Sequence, residues 1–169
     1  TVIMPGVIDA HVHINEPGRT EWEGFETATQ AAAAGGSTTI IDMPLNASPV
    51  TTTLDAFNKK LEASKGKMNV NVGFYAGLIP GNADQLEALI HAGVVGVKCF
   101  LTHSGIDEFP NVTEKDLDEA MPIIAKHNIP LLAHCELYDT EIECDFDNHP
   151  TSYQHYLASR PKQWENDAV

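Results

Sequence analysis

Long apolar runs, cysteines and basic residues are all scarce in this chain, and each scarcity closes a functional route. No uninterrupted apolar stretch approaches the roughly 18 residues that a membrane span needs, so no membrane partner is expected. The three cysteines in 169 residues, Cys99, Cys135 and Cys144, form no CxxC pair and are odd in number. That argues against a disulfide framework and for a reducing compartment, with the cytoplasm as the expected location. Only 10 lysines and arginines face 24 aspartates and glutamates, a formal charge of −14. Such a surface repels phosphate backbones and anionic headgroups alike, which disfavours nucleic acid and points to a small neutral substrate. No charged-then-apolar leader is present, and the chain opens at Thr1 in a strand-like stretch without an initiator Met, so upstream material is expected to be missing.

What is present is ordinary globular composition, 43% hydrophobic and 20% charged, enough for one sizeable core. Short β-branched runs alternate with helical patterns at a spacing of roughly thirty residues, the rhythm of βα units on a parallel sheet. About five strands are expected, over Val7–Ile14, Thr38–Met43, Val70–Leu78, Val94–Leu101 and Pro130–Cys135, mostly apolar throughout as when both sheet faces are covered. Thr20 with Glu23 reads as a capping box for a helix over Gly24–Ala34 that Gly35 and Gly36 end. Leu54, Phe57 and Leu61, then Leu86, Leu89 and Ile90, fall at helical spacing and read as core stripes. Thr113 with Asp116 opens a further helix carrying Leu117, Ala120, Met121 and Ile124, which Pro122 is expected to bend or restart. An open doubly wound sheet satisfies this rhythm as well as a barrel does. A complete barrel takes roughly 250 residues, so the expected class is α/β, a partial (β/α)8 TIM barrel of about five βα units in one domain over 1–169, cut before the later strands.

Four residues suggest chemistry at the C-terminal ends of these strands, where barrel enzymes place their sites. His11 and His13 alternate onto one face of the first strand, as two metal ligands or as two half-buried histidines facing a helix. Lys98 lies in mid-strand in Gly96-Val97-Lys98-Cys99-Phe100. An unpaired ammonium there would shed its proton, and the neutral amine can take up carbon dioxide to become an anionic two-oxygen ligand. The other reading is a structural lysine paired with Asp42 or Glu136. His134 ends the next strand in Leu131-Leu132-Ala133-His134-Cys135-Glu136. Convergence of the four on one rim is the argument for a site.

These segments carry a resemblance. Pro5-Gly6-Val7-Ile8-Asp9-Ala10-His11-Val12-His13, the run Gly36–Asn46, Gly96–Phe100 and Leu132–Glu136 resemble the cyclic amidohydrolase family of allantoinases, dihydropyrimidinases or hydantoinases, and dihydroorotases. Glu16–Gly24, Ser104–Pro110 and Ala158–Pro161 resemble the allantoinase branch in particular. The resemblance implies metal-dependent opening of allantoin to allantoate. In that scheme His11 and His13 bind one divalent ion, carboxylated Lys98 bridges two, and His134 binds the second. Zinc is favoured on ligand type, with manganese, cobalt, nickel and iron compatible, and carbon dioxide is the co-reactant for the lysine. It also implies a homo-oligomer, a homotetramer at full length.

The resemblance further implies a second-metal histidine, a proton-moving aspartate and a small β domain, none of which can be matched here, so the chain alone is expected to be inactive. Dihydroorotase-like chains carry an arginine where this one has Asn15, which disfavours an anionic ring substrate. Hydantoinase-like chains carry a tyrosine where this one has His103, a carbonyl-polarising group or an ordinary loop histidine. Asn46 could bind a ring amide, although turn chemistry before Pro49 explains it as well, and Arg19 reads as a loop tie. Beside the allantoinase reading stand a dihydropyrimidinase or hydantoinase and a non-catalytic scaffold of the same family.

Overall fold

The computed structural model describes residues 2–137 and 148–169. The last cysteine, Cys144, lies outside the described residues; Cys99 and Cys135 are both free thiols. Five parallel strands stand side by side in chain order: β1 (Val7–Val12), β2 (Ser37–Asp42), β3 (Asn71–Gly77), β4 (Gly96–Phe100) and β5 (Leu131–His134). Helices α1 (Phe25–Gly35), α2 (Leu54–Ser64), α3 (Ala83–His91) and α4 (Glu114–Lys126) connect them, and short α5 (Tyr153–Ala158) and α6 (Gln163–Asp167) follow. Strict sequential order with a helix after each of the first four strands is a curled half-barrel, the expected class. Among the described residues no helix is long and apolar enough to cross a membrane.

Strand alternation divides the sheet into two apolar layers. Ile40, Phe74, Ala76, Val97 and Cys99 face the helices and pack with Phe25, Phe57, Leu86, Leu89, Ala120 and Ile124. On the other face Met43, Leu45, Val50, Tyr75 and Phe109 form a second cluster, edged by Ile41, Phe100 and Leu132. Lys98 belongs to this inner face, since it stands in register with Gly77 and Leu132. Gly77 leaves room there for Phe109, whose ring would lie 2.4 Å from any Cβ at that position.

Two local expectations change. Helix α1 has Gly24, not Thr20, at its N-cap, and the Phe25 N–H donates to the Glu16 carboxylate from the preceding loop at 3.0 Å. That long-range cap replaces the local capping box, while Thr113 and Asp116 form theirs as expected. Helix α4 runs through Pro122 unbroken. The carbonyl that loses its donor there belongs to exposed Asp118, where water can take over. Met121 of the same helix is 45% exposed on that outer side.

Candidate active site

The turn leaving β1 is held by a buried ion pair. Asp42, at the end of β2, accepts from the Ile14 N–H at 2.7 Å and from the Lys60 ammonium of α2, which also donates to the Ile14 carbonyl at 3.1 Å. Both backbone groups of Ile14 are thereby used up, which ends β1 at Val12 and fixes the residue between, His13. Burial pushes the Asp42 carboxyl up to about 6, against the pull of Lys60 and the Ile14 N–H. Lys60 is thus the partner of Asp42, and the pairing of Lys98 with Asp42 does not occur. Glu136 is not that partner either. It binds Arg160 at 2.8 Å and His134 at 3.2 Å, and these contacts more than offset its burial and hold its carboxyl below the usual range.

Lys98 is 5% exposed, and among the described residues no carboxylate pairs with it. Its ammonium lies 4.9 Å from the centre of the Phe100 ring. Burial draws this ammonium below the usual lysine range, with the Cys99 and Cys135 thiols pulling weakly the other way. His134 stacks on the opposite register partner of β4, its ring 5.1 Å from that of Phe100 and nearly parallel. Lys98 and His134 therefore meet the same aromatic ring.

His11 on β1 and His13 in the turn just after it lie close together, ring centres 5.4 Å apart. His13 is half-buried, and its pKa is lowered by that burial, then by His11, Lys98 and Lys60, with a contact to the Leu45 carbonyl acting the other way. A neutral imidazole, the form that binds metals, is favoured. Asn46 approaches it, Nδ2 lying 3.5 Å from His13 Nδ1. Asn46 holds a left-handed backbone at φ 73°, so the turn reading and the contact with His13 hold together. His11, His13 and His134 fall in no single group whose ligand atoms lie within 4.8 Å of one another. A two-ion scheme with a bridging group does not require that they should.

The remaining expected residues lie on the loops. Asn15 is buried, and its side-chain oxygen lacks a partner among the described residues. His103 is exposed; its Nδ1 accepts the Gly105 N–H at 3.0 Å, and its Nε2 stands 3.7 Å from Asp107. Arg19 is a loop tie: it donates to the Asn46 carbonyl at 2.9 Å, pairs with Glu108 at 3.3 Å and lies over Trp22. At Gly18, φ is +91° and a Cβ would meet the Ser48 carbonyl at 2.4 Å, so only glycine lets the first two loops close on each other.

Sequence reasoning missed Lys60, the Lys67 partner of Glu16, and Arg160 beside Glu136. It also missed Glu87, His91 and His127, whose ligand atoms all lie within 4.8 Å of one another. Only Glu87 and His91, four apart on α3, left a signal in the sequence; His127 comes from α4.

Known proteins bear on this geometry. The model of the amidohydrolase family matches residues 2–159. An allantoinase of Arabidopsis thaliana is 48% identical over 172 residues, and one of Saccharomyces cerevisiae 47% over 168. Each comparison covers 99% of this chain but only 34% and 36% of those relatives, so the chain spans about a third of their length. Among solved structures, the L-hydantoinase (dihydropyrimidinase) of Arthrobacter aurescens is 34% identical with a TM-score of 0.86, covering 98% of this chain and 37% of that one. A D-hydantoinase of Bacillus sp. AR9, 24% identical at a TM-score of 0.76 over 97% of this chain and 37% of its own, shares the fold.

Proposed function

This chain belongs to the amidohydrolase family, and from that premise we propose that it supplies the early strands of the catalytic barrel of an allantoin-opening hydrolase. The reaction adds water across a ring amide C–N bond and gives the open-chain carboxylate allantoate. The observation that carries the reading is Lys98, an amine buried on the inner face beside His134 and within electrostatic range of His13, with no carboxylate to hold its charge among the described residues. Such an amine, once neutral, attacks carbon dioxide: the nitrogen lone pair forms the N–C bond as one C=O π bond opens onto oxygen, one N–H proton leaves to solvent, and a carbamate results whose single negative charge is shared by two oxygens.

The donor set fits two divalent ions. His11 and His13 would hold one, His134 the other, and the Lys98 carbamate both. Zinc suits these ligands first, and manganese, cobalt, nickel and iron are compatible. When bound, the ions supply Lewis acidity that activates water at neutral pH and polarises the ring carbonyl. The chain's own residues prepare that site. The Asp42–Lys60 pair fixes the turn that carries His13, burial keeps the His13 ring neutral, and Glu136 orients His134 as carboxylates do behind metal-binding histidines.

Substrate is held by Asn15, Asn46 and His103 in this reading. Because His103 Nδ1 accepts from Gly105, its Nε2 carries the proton and can donate to a carbonyl oxygen. A small neutral ring matches these uncharged groups, and a cytoplasmic homotetramer completes the proposal. In the full-length enzyme Lys98→Ala is expected to lose bound metal and to lower allantoin hydrolysis on the order of 10³-fold or more. Metal content and turnover both at wild-type level would overturn the scheme. Faster opening of dihydrouracil or simple hydantoins than of allantoin would move the substrate to the hydantoinase side, which the Arthrobacter likeness favours.

A further inference from the structure

The outer helical layer carries a second set of metal-type ligands. Glu87 and His91 lie one turn apart on α3, and His127 is the residue that closes α4. The two imidazoles meet edge to face, ring centres 5.2 Å apart, and His127 Nε2 stands 3.3 Å from Glu87 Oε1. Ligand atoms about 2.0–2.1 Å from a tetrahedral ion are separated by roughly 3.3–3.4 Å, so one edge of a coordination polyhedron is already at length. All three ligand atoms lie within 4.8 Å of one another, a spread that small side-chain rotations close.

Topology separates this cluster from the site at the strand ends. His91 ends α3 and His127 ends α4, and each helix end leads into the start of the next strand, β4 at Gly96 and β5 at Leu131. The cluster therefore lies at the N-terminal rim of the sheet, whereas His13, Phe100 and His134 stand at the C-terminal rim. Two imidazoles and a carboxylate form the three-ligand set of borderline divalent ions. Glu87 Oε1 is the shared atom, accepting from the Lys126 ammonium and facing His127 Nε2, whose lone pair a bound ion would take in place of a proton. Lys126, whose ammonium contacts the same Glu87 oxygen at 2.7 Å, is the competitor for the position an ion would take; its side chain is 65% exposed and free to turn away.

We propose that Glu87, His91 and His127 bind a zinc-class divalent ion that clips α3 to α4 at the N-terminal rim, separate from the catalytic site. The ion would add a coordinate link between two helices that already meet through core packing, the His91–His127 ring contact and the contacts of Glu87 with Lys126 and His127. The test uses the full-length protein equilibrated with Zn2+, with metal per chain measured after removal of free ion. Wild type is expected to hold one equivalent more than His91→Gln/His127→Gln, with allantoin turnover equal in the two. It is also expected to show a zinc-dependent rise in Tm that the double variant lacks. Lys126→Gln, which keeps every ligand and removes only the competitor, is expected to bind Zn2+ at this site about two- to fivefold more tightly. Equal zinc content in wild type and the double variant would overturn the proposal, as would weaker zinc binding in Lys126→Gln.

Discussion

β4 and β1 are similarly apolar, yet their environments are opposite. In β4, flanked by β3 and β5, Val97 and Cys99 are fully buried; in β1, at the edge of the sheet, Val7 and Ile8 are 55% and 65% exposed. Hydrophobic sequence therefore does not by itself bury a strand: neighbours on both flanks and both faces do. The same division separates the candidate ligands. Lys98 on the interior strand β4 is desolvated, while His11 on β1 and His134 at the end of edge strand β5 keep solvent contact. It also separates the carboxylates, Asp42 on β2 being buried against Lys60 and Asp9 on β1 exposed.

The largest effect should come from the buried charge of the interior. Lys60→Ala leaves the Asp42 carboxylate buried without its partner and is expected to cost about 3–5 kcal/mol in chemical denaturation, against no measurable loss for Asp9→Ala. A loss below 1 kcal/mol for Lys60→Ala would mean that the pair does not organise the turn carrying His13. A smaller contrast separates the apolar positions. Val97→Ala is expected to cost about 1.5–2.5 kcal/mol and Ile8→Ala less than about 0.5 kcal/mol in this chain. Equal costs would show that β1 is covered by something these contacts do not include.

Much of this architecture was legible from periodicity, because covered parallel strands and amphipathic helices leave strong local patterns. β4 and β5 fall inside the expected runs, and the helices carrying Phe57 and Leu86 pack those stripes against the core as their spacing implied. Boundaries failed where long-range side chains overrode local rules. Ile14 was expected to continue β1, but its N–H goes to Asp42; Thr20 was expected to cap α1, but Glu16 does so. The candidate ligands could be named from sequence because His11, His13, Lys98 and His134 fall within or just after strand-like runs, a property of sequence position. Their supports could not, since Lys60 with Asp42 and Arg160 with Glu136 join residues whose proximity only the fold creates.

If the desolvated amine of Lys98 accepts carbon dioxide within the proposed hydrolytic site, isotope incorporation will report it. Full-length metal-loaded protein exchanged into 13C-bicarbonate should show one carbamate carbon resonance per chain, absent from Lys98→Ala. An unlabelled wild type that retains full allantoin hydrolysis would contradict the account.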